Sequence, residues 1–227
     1  KKEEIIEGIG ARQLSPDGTK IVCGQNEGVV IVTLNTFERQ TIVSMKDLID
    51  CLPEYDEQKA YKPVAANLKW SPDGSMLILR FSFSPGEYMK SLFVFDADGS
   101  NLKRIKAASH RFHHHSWHPD GERILFGDRN EEGQPRLYFV NKDGTNKQVV
   151  CDESLGGHPC LNPDGTKIVT DGSKYGKSIV LVDVSTSEVE KLASYTTNLK
   201  RSNAHPVWNH DGTQIMYHSD HTGTSQL

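Results

Sequence analysis

All ten histidines of this 227-residue chain lie between His110 and His221. Five stand in one run of twelve residues, "HRFHHHSWHPDG", from His110 to Gly121. Two more precede prolines, His158 in "GGHPC" and His205 in "NAHPV". Imidazole is the commonest metal ligand and a base that titrates near neutral pH. Such a set points to metal binding or proton transfer if the fold brings members from separate segments together. One strand cannot converge its own run, because successive side chains face opposite ways.

The elements that must position these groups are written in a repeat. Five segments align: "LSPDGTKIVCG", "WSPDGSMLILR", "WHPDGERILFG", "LNPDGTKIVTD" and "WNHDGTQIMYH". Their turn aspartates are Asp17, Asp73, Asp120, Asp164 and Asp211, spaced by 56, 47, 44 and 47 residues. Each copy has an anchor (Leu14, Trp70, Trp117, Leu161 or Trp208), then a Pro-Asp-Gly or His-Asp-Gly turn, then an apolar strand. Proline presets φ and Asp-Gly tolerates positive φ, so a tight turn is expected. Further strands follow, such as "SLFVFDADG" and "SIVLVDVST". Four antiparallel strands in about 45 residues is the period of a propeller blade.

The expected fold is therefore all-β: a β-propeller of four-stranded antiparallel blades, one domain over 1–227. Blade repeats are placed at about 9–45, 65–109, 112–154, 156–195 and 203–227, with a connection at 46–64 that could hold a helical turn or a lid. Five repeats fit part of a seven-bladed propeller, or a closed five-bladed ring.

In a propeller the first strand of each blade lines the central channel. The position three before each anchor then marks one level of it: Ala11, Asn67, His114, His158 and His205. Three consecutive repeats present histidine there. Strand alternation sends His113 and His115 away from the channel, and Arg12 with them. His118 and His210 fall in turns, while His218 and His221 sit off the axis. Lys69, Arg111, Lys200 and Arg201 give this mouth a positive cast. Against the functional reading, a histidine before proline can simply cap a backbone carbonyl at strand entry.

Several classes are excluded. A net charge of −4 without a long basic run argues against nucleic acid. No apolar run reaches the ~18 residues of a membrane span. No GxSxG, P-loop or dinucleotide fingerprint occurs. "DADGSN" and "NKDGTN" lack a full calcium loop and read as β-turns. The four cysteines show no CxxC spacing, and a Cys151–Cys160 bridge stays open. The chain starts "KKEE" without methionine, which leaves a removed leader, and a bacterial cytoplasmic or periplasmic location, open. Oligomeric state is equally open.

The "WSPDG" units followed by "DADGSN" resemble TolB-like propeller repeats over nearly the whole chain. The second half, "HHHSWHPDG", "GGHPCLNPDGTKIVTDG" and "NAHPVWNHDGTQIMYHSDH", resembles successive blades of the oligogalacturonate lyase family. That resemblance implies a propeller cleaving acidic, uronate-containing oligosaccharides by β-elimination with a divalent ion, manganese first, zinc or calcium as alternatives. It implies His114 as the catalytic histidine and His158 and His205 as metal ligands. Asn203 stands where the family has another histidine ligand, and Lys200 where it has a glutamine. Lys90 and Ser91 stand where an active-site arginine is expected. The catalytic expectation is thus His114 with Arg111 and Lys90. The substrate-binding set is Asn67, Lys69, Lys200 and Arg201, and the metal set His158, His205 and Asn203. The competing readings are a non-catalytic TolB-like propeller that binds a protein or glycan, and the propeller domain of a larger hydrolase.

Overall fold

The computed structural model describes residues 12–56, 61–84, 89–109, 112–173, 176–195 and 203–220. Their strands form antiparallel sheets that run in chain order. The first sheet holds β1 (Arg12–Leu14), β2 (Lys20–Gln25), β3 (Gly28–Thr33) and β4 (Arg39–Ser44). After a short helix α1 (Met45–Asp50), the second holds β5 (Tyr61–Trp70), β6 (Met76–Ser84), β7 (Met89–Asp96) and β8 (Lys103–Ser109). The third holds β9 (His113–Trp117), β10 (Arg123–Arg129), β11 (Pro135–Asn141) and β12 (Gln148–Val149). In the fourth, β13 (Leu155–Gly156) and β14 (Cys160–Leu161) both pair with β15 (Lys167–Ser173), which leads to β16 (Gly176–Asp183) and β17 (Val189–Ser194). A fifth pair, β18 (Val207–Trp208) and β19 (Ile215–Met216), follows.

The repeated turn has one geometry in all five copies. The residue after each anchor (Ser15, Ser71, His118, Asn162, Asn209) donates its N–H to the carbonyl five residues on. The turn glycines 18, 74, 121, 165 and 212 have φ between 70 and 76°, a region a Cβ disfavours. Each turn aspartate accepts the N–H two residues ahead, the Asx pattern that lets a short side chain stand in for backbone.

Chain contacts divide the protein into two units, residues 1–111 with 142–145, and 112–141 with 146–227. In the first, Val22, Leu77, Phe81, Phe93 and Phe95 are fully buried in one core. Helix α1 joins that core through Leu48. Ser44 caps it in a reciprocal box with Asp47, and Leu52 and the Arg104–Glu54 ion pair fix the residues that follow. This part of the connection is a packed helical turn rather than a lid, and β5 already begins at Tyr61. In the second unit, Leu125, Leu155, Ile168, Val180 and Val182 form the corresponding core.

All four cysteines are free thiols, so the Cys151–Cys160 bridge is not formed. Among the described residues no helix is long and apolar enough to cross a membrane.

Candidate functional site

The position three before the anchor is a backbone irregularity, not a regular strand residue. His114 and His205 have φ of 43° and 44°, and Asn67, at the same repeat position in the first unit, has 52°. In β9 the pairing jumps from His115↔Phe126 to His113↔Gly127, so His114 bulges out of the ladder. In the fourth sheet Gly157 takes the left-handed turn, at φ 77°, one residue before His158. Left-handed backbone is costly for most residues, while histidine and asparagine are enriched there. The residue types at this position are therefore partly a conformational choice.

Within the second unit the bulges bring the imidazoles together. Ring centroids are 4.3 Å apart for His114 and His158, and 3.6 Å for His158 and His205. His218 lies 6.5 Å beyond His205, so it belongs to the cluster's edge. The alternation argument holds for His115, which is buried and stacked on Phe112. It fails for His113, whose ring stands 5.0 Å from His114, because the bulge interrupts the two-residue period. His118 serves the scaffold: its Nε2 lies 3.1 Å from the Gly165 carbonyl, tying two turns together.

One residue absent from the sequence expectation organises the cluster. Asp171 is buried, and its Oδ1 accepts the His158 backbone N–H at 2.8 Å. Its Oδ2 accepts the His205 backbone N–H at 2.9 Å and also lies 2.9 Å from His158 Nδ1. An ionised carboxylate only accepts, so His158 Nδ1 carries a hydrogen and Nε2 is the ring nitrogen left to face the cluster. Two glycines make room: a Cβ on Gly157 would meet Asp171 Oδ1 at 2.3 Å, and one on Gly172 would meet the Gly157 nitrogen at 2.5 Å.

The electrostatics follow from this packing. Burial alone would raise the Asp171 carboxyl, but the bonds from the His158 ring and the His205 N–H outweigh it and hold it at about 2. The His114 imidazole is pushed down to about 3 by burial, then by its neighbours His158 and His113. His205 is lowered by burial and by His158. His114 and His205 are thus neutral near pH 7, the form that ligates metal or accepts a proton.

In donor type the site suits a divalent transition ion: two adjacent imidazoles, one oriented from behind by a carboxylate. Among the described residues, however, no group of three or more His, Cys, Asp or Glu side chains is arranged to hold a metal ion. Asn203 is exposed.

Arg111, Lys200 and Arg201 lie outside the described residues, as do Ala11, His110 and His221, and so does the side chain of Arg12. In the first unit, Lys69 is half-buried on β5, opposite Ile78. Lys90 is half-buried on β7, opposite Ser82, and burial and the nearby Arg80 charge lower its pKa. Arg80 is a second residue the sequence reading missed. With the Asn67 amide oxygen facing it, Arg80 donates from Nη2 at 2.6 Å and Nη1 at 2.7 Å. The repeat carries a signal for both: the position seven after each turn aspartate reads Gly24, Arg80, Gly127, Asp171 and His218, and there Arg80 and Asp171 contact Asn67 and His158, three before their anchors.

Comparison with known proteins agrees with this architecture. The Tol-Pal system protein TolB of Alcanivorax borkumensis is 29% identical over 82 residues, covering 36% of this chain and 19% of that protein. The crystal structure of TolB from Acinetobacter baumannii superposes with a TM-score of 0.64 at 19% identity, covering 96% of this chain and 50% of that one. An oligogalacturonate lyase in complex with manganese superposes with a TM-score of 0.56 at 15% identity, covering 95% and 74%. These identities speak for a shared fold, and this chain spans half the length of the TolB structure. The TolB beta propeller domain family matches residues 11–227, almost the entire sequence. This chain belongs to the TolB beta-propeller domain family.

Proposed function

We propose that the His114–His158–His205 cluster is the working site of a lyase-like propeller acting on uronate-containing, pectin-type oligosaccharides. The observation that carries the reading is the convergence of three imidazoles from separate segments around the Asp171 carboxylate. Such desolvated, mutually perturbed groups are characteristic of functional sites.

The chemistry is a β-elimination. His114 takes the proton on C5, which lies α to the substrate carboxylate. The electron pair forms the C4–C5 double bond, the C4–O bond breaks, and the departing oxygen takes up a proton. An imidazole held near 3 is a weak base in the free protein. A bound carboxylate adds the negative charge that raises it, so base strength grows with substrate in place. His158 and His205 would hold a divalent ion, manganese by analogy with the lyase structure, with Asn203 beside them. That ion would neutralise the substrate carboxylate. Lys200 and Arg201, which belong to the same unit as the cluster, are the proposed partners for further carboxylates and hydroxyls. The sheets are read as blades of one propeller, part of a seven-bladed ring.

The test is ultraviolet absorbance of the unsaturated uronate product when the chain meets oligogalacturonate with manganese. Absorbance that His114→Ala abolishes supports the lyase. No product, together with uronate binding that His158→Ala leaves unchanged, removes it. The second reading, a TolB-like module that binds a protein or glycan, is favoured by the family match over residues 11–227. It predicts partner capture that survives chelators.

A further inference from the structure

Beside the histidine cluster, wholly within the second unit, lies a cleft of about 340 Å³. His113, Arg129, Pro135, Ser154 and the glycines 156, 157 and 172 line it. Its volume is at the small end for ligand pockets, enough for one sugar ring. Three of its lining residues have no side chain, and for a structural reason. A Cβ on Gly156 would stand 3.3 Å from Pro135, and those on Gly157 and Gly172 would collide with the Asp171 carboxylate and with backbone. The wall is therefore flat. The His113 ring and Pro135 are the lining groups with apolar surface for a sugar's C–H groups. His113 also joins the cleft to the cluster, since its ring is 5.0 Å from His114.

The one cationic side chain among the lining residues is Arg129. Its backbone N–H donates to Asp128 Oδ1, and its Nη1 donates to the Gly133 carbonyl, which fixes the guanidinium within the β10–β11 turn. Guanidinium carries five N–H donors, so others remain for a planar anion.

We propose that this cleft seats the carboxylated sugar next to the one processed at His114, with Arg129 receiving its carboxylate. The proposal rests on the uronate reading above and adds a second subsite to it. The site would then prefer chains of two or more uronates to a single one.

Calorimetric titration of the intact chain with galacturonate and with digalacturonate tests this. Arg129→Gln should weaken digalacturonate binding about tenfold and leave galacturonate within about twofold, the loss expected for one charge-assisted contact. Arg129→Lys, which keeps the charge, should recover part of that loss. If Arg129→Gln leaves digalacturonate binding unchanged while His158→Ala weakens both ligands, the subsite is wrong and the uronate reading stands. Equal loss for both ligands overturns the placement. Binding of neither ligand to the unmodified chain overturns both ideas. Equal melting temperatures confirm that the variants are folded.

Discussion

Asp171 and His205 are 34 positions apart in sequence, yet the His205 backbone N–H donates to Asp171 Oδ2 at 2.9 Å. The same carboxylate holds the His158 ring and its N–H. One buried anion thus sets the spacing between two of the three imidazoles and fixes the tautomer of one.

Asp171→Asn should disturb the cluster while preserving the side chain's shape. An amide offers one acceptor where three donors converge, and its NH₂ faces N–H groups. Losing charge-assisted bonds of this kind costs about 1.5–3 kcal/mol. Denaturant unfolding should show that loss. Nitrogen NMR of the imidazoles should show His158 as a mixture of tautomers rather than one. A single unchanged tautomer would mean that Asp171 does not position the ring.

The left-handed backbone at His114 predicts an unusual order of tolerance. His114→Asn should keep stability within about 0.5 kcal/mol, because asparagine accepts this region. His114→Val should cost about 1–2 kcal/mol, since a β-branched residue does not. Any lyase activity should vanish in both. Equal stability for the two variants would remove the conformational account.

Gly157→Ala should be among the most damaging small changes in the second unit. The added methyl meets Asp171 Oδ1 at 2.3 Å and the Gly172 nitrogen at 2.4 Å, at a φ of 77°. A loss of about 2–4 kcal/mol is expected from strain plus displacement of a buried carboxylate. The comparison variant is Gly18→Ala, which also has positive φ but meets nothing within 4 Å. It should cost about 1 kcal/mol, the backbone contribution alone. Thermal melts of the pair separate the two effects.

The turn aspartates predict the acid limit of the fold. Asp17 and Asp73 are held at about 2, below their ordinary 3.8, first by the hydroxyls of Ser15 and Ser71. At Asp120 burial acts the other way, but Arg123 and backbone N–H groups prevail and hold it at about 2. A depressed folded pKa means stability present above the unfolded value and lost as pH falls through the folded one. Denaturation midpoints should therefore be flat above about pH 4 and drop between 4 and 2. Replacing Asp17 and Asp73 by asparagine should flatten that slope. A slope unchanged in the double variant would assign acid sensitivity to other groups.

The turns and strands were legible because their rules are local. Pro-Asp-Gly after an apolar anchor fixes a turn whatever surrounds it, and its period exposes the sheets. The alignment of His114, His158 and His205 followed from counting back from the anchors. Asp171 and Arg80 lie outside that count because they stand on the following strand, and only the folded backbone brings them to His158 and Asn67. Strand alternation does not place His113, for a physical reason: a bulge breaks the two-residue period at His114. Gly127 marks the spot, since a Cβ there would stand 2.3 Å from the His113 ring. The helical connection carried a capping signal in Ser44 and Asp47 that only local geometry made specific.

The bulge has an implication for how chemistry can enter such a fold. A socket that accepts asparagine in one copy and histidine in two others keeps its backbone whichever is present. A single codon change at that socket can install or retire a reactive ring without disturbing the scaffold. Blades can then be recruited to catalysis one at a time, as interchangeable holders in a common frame.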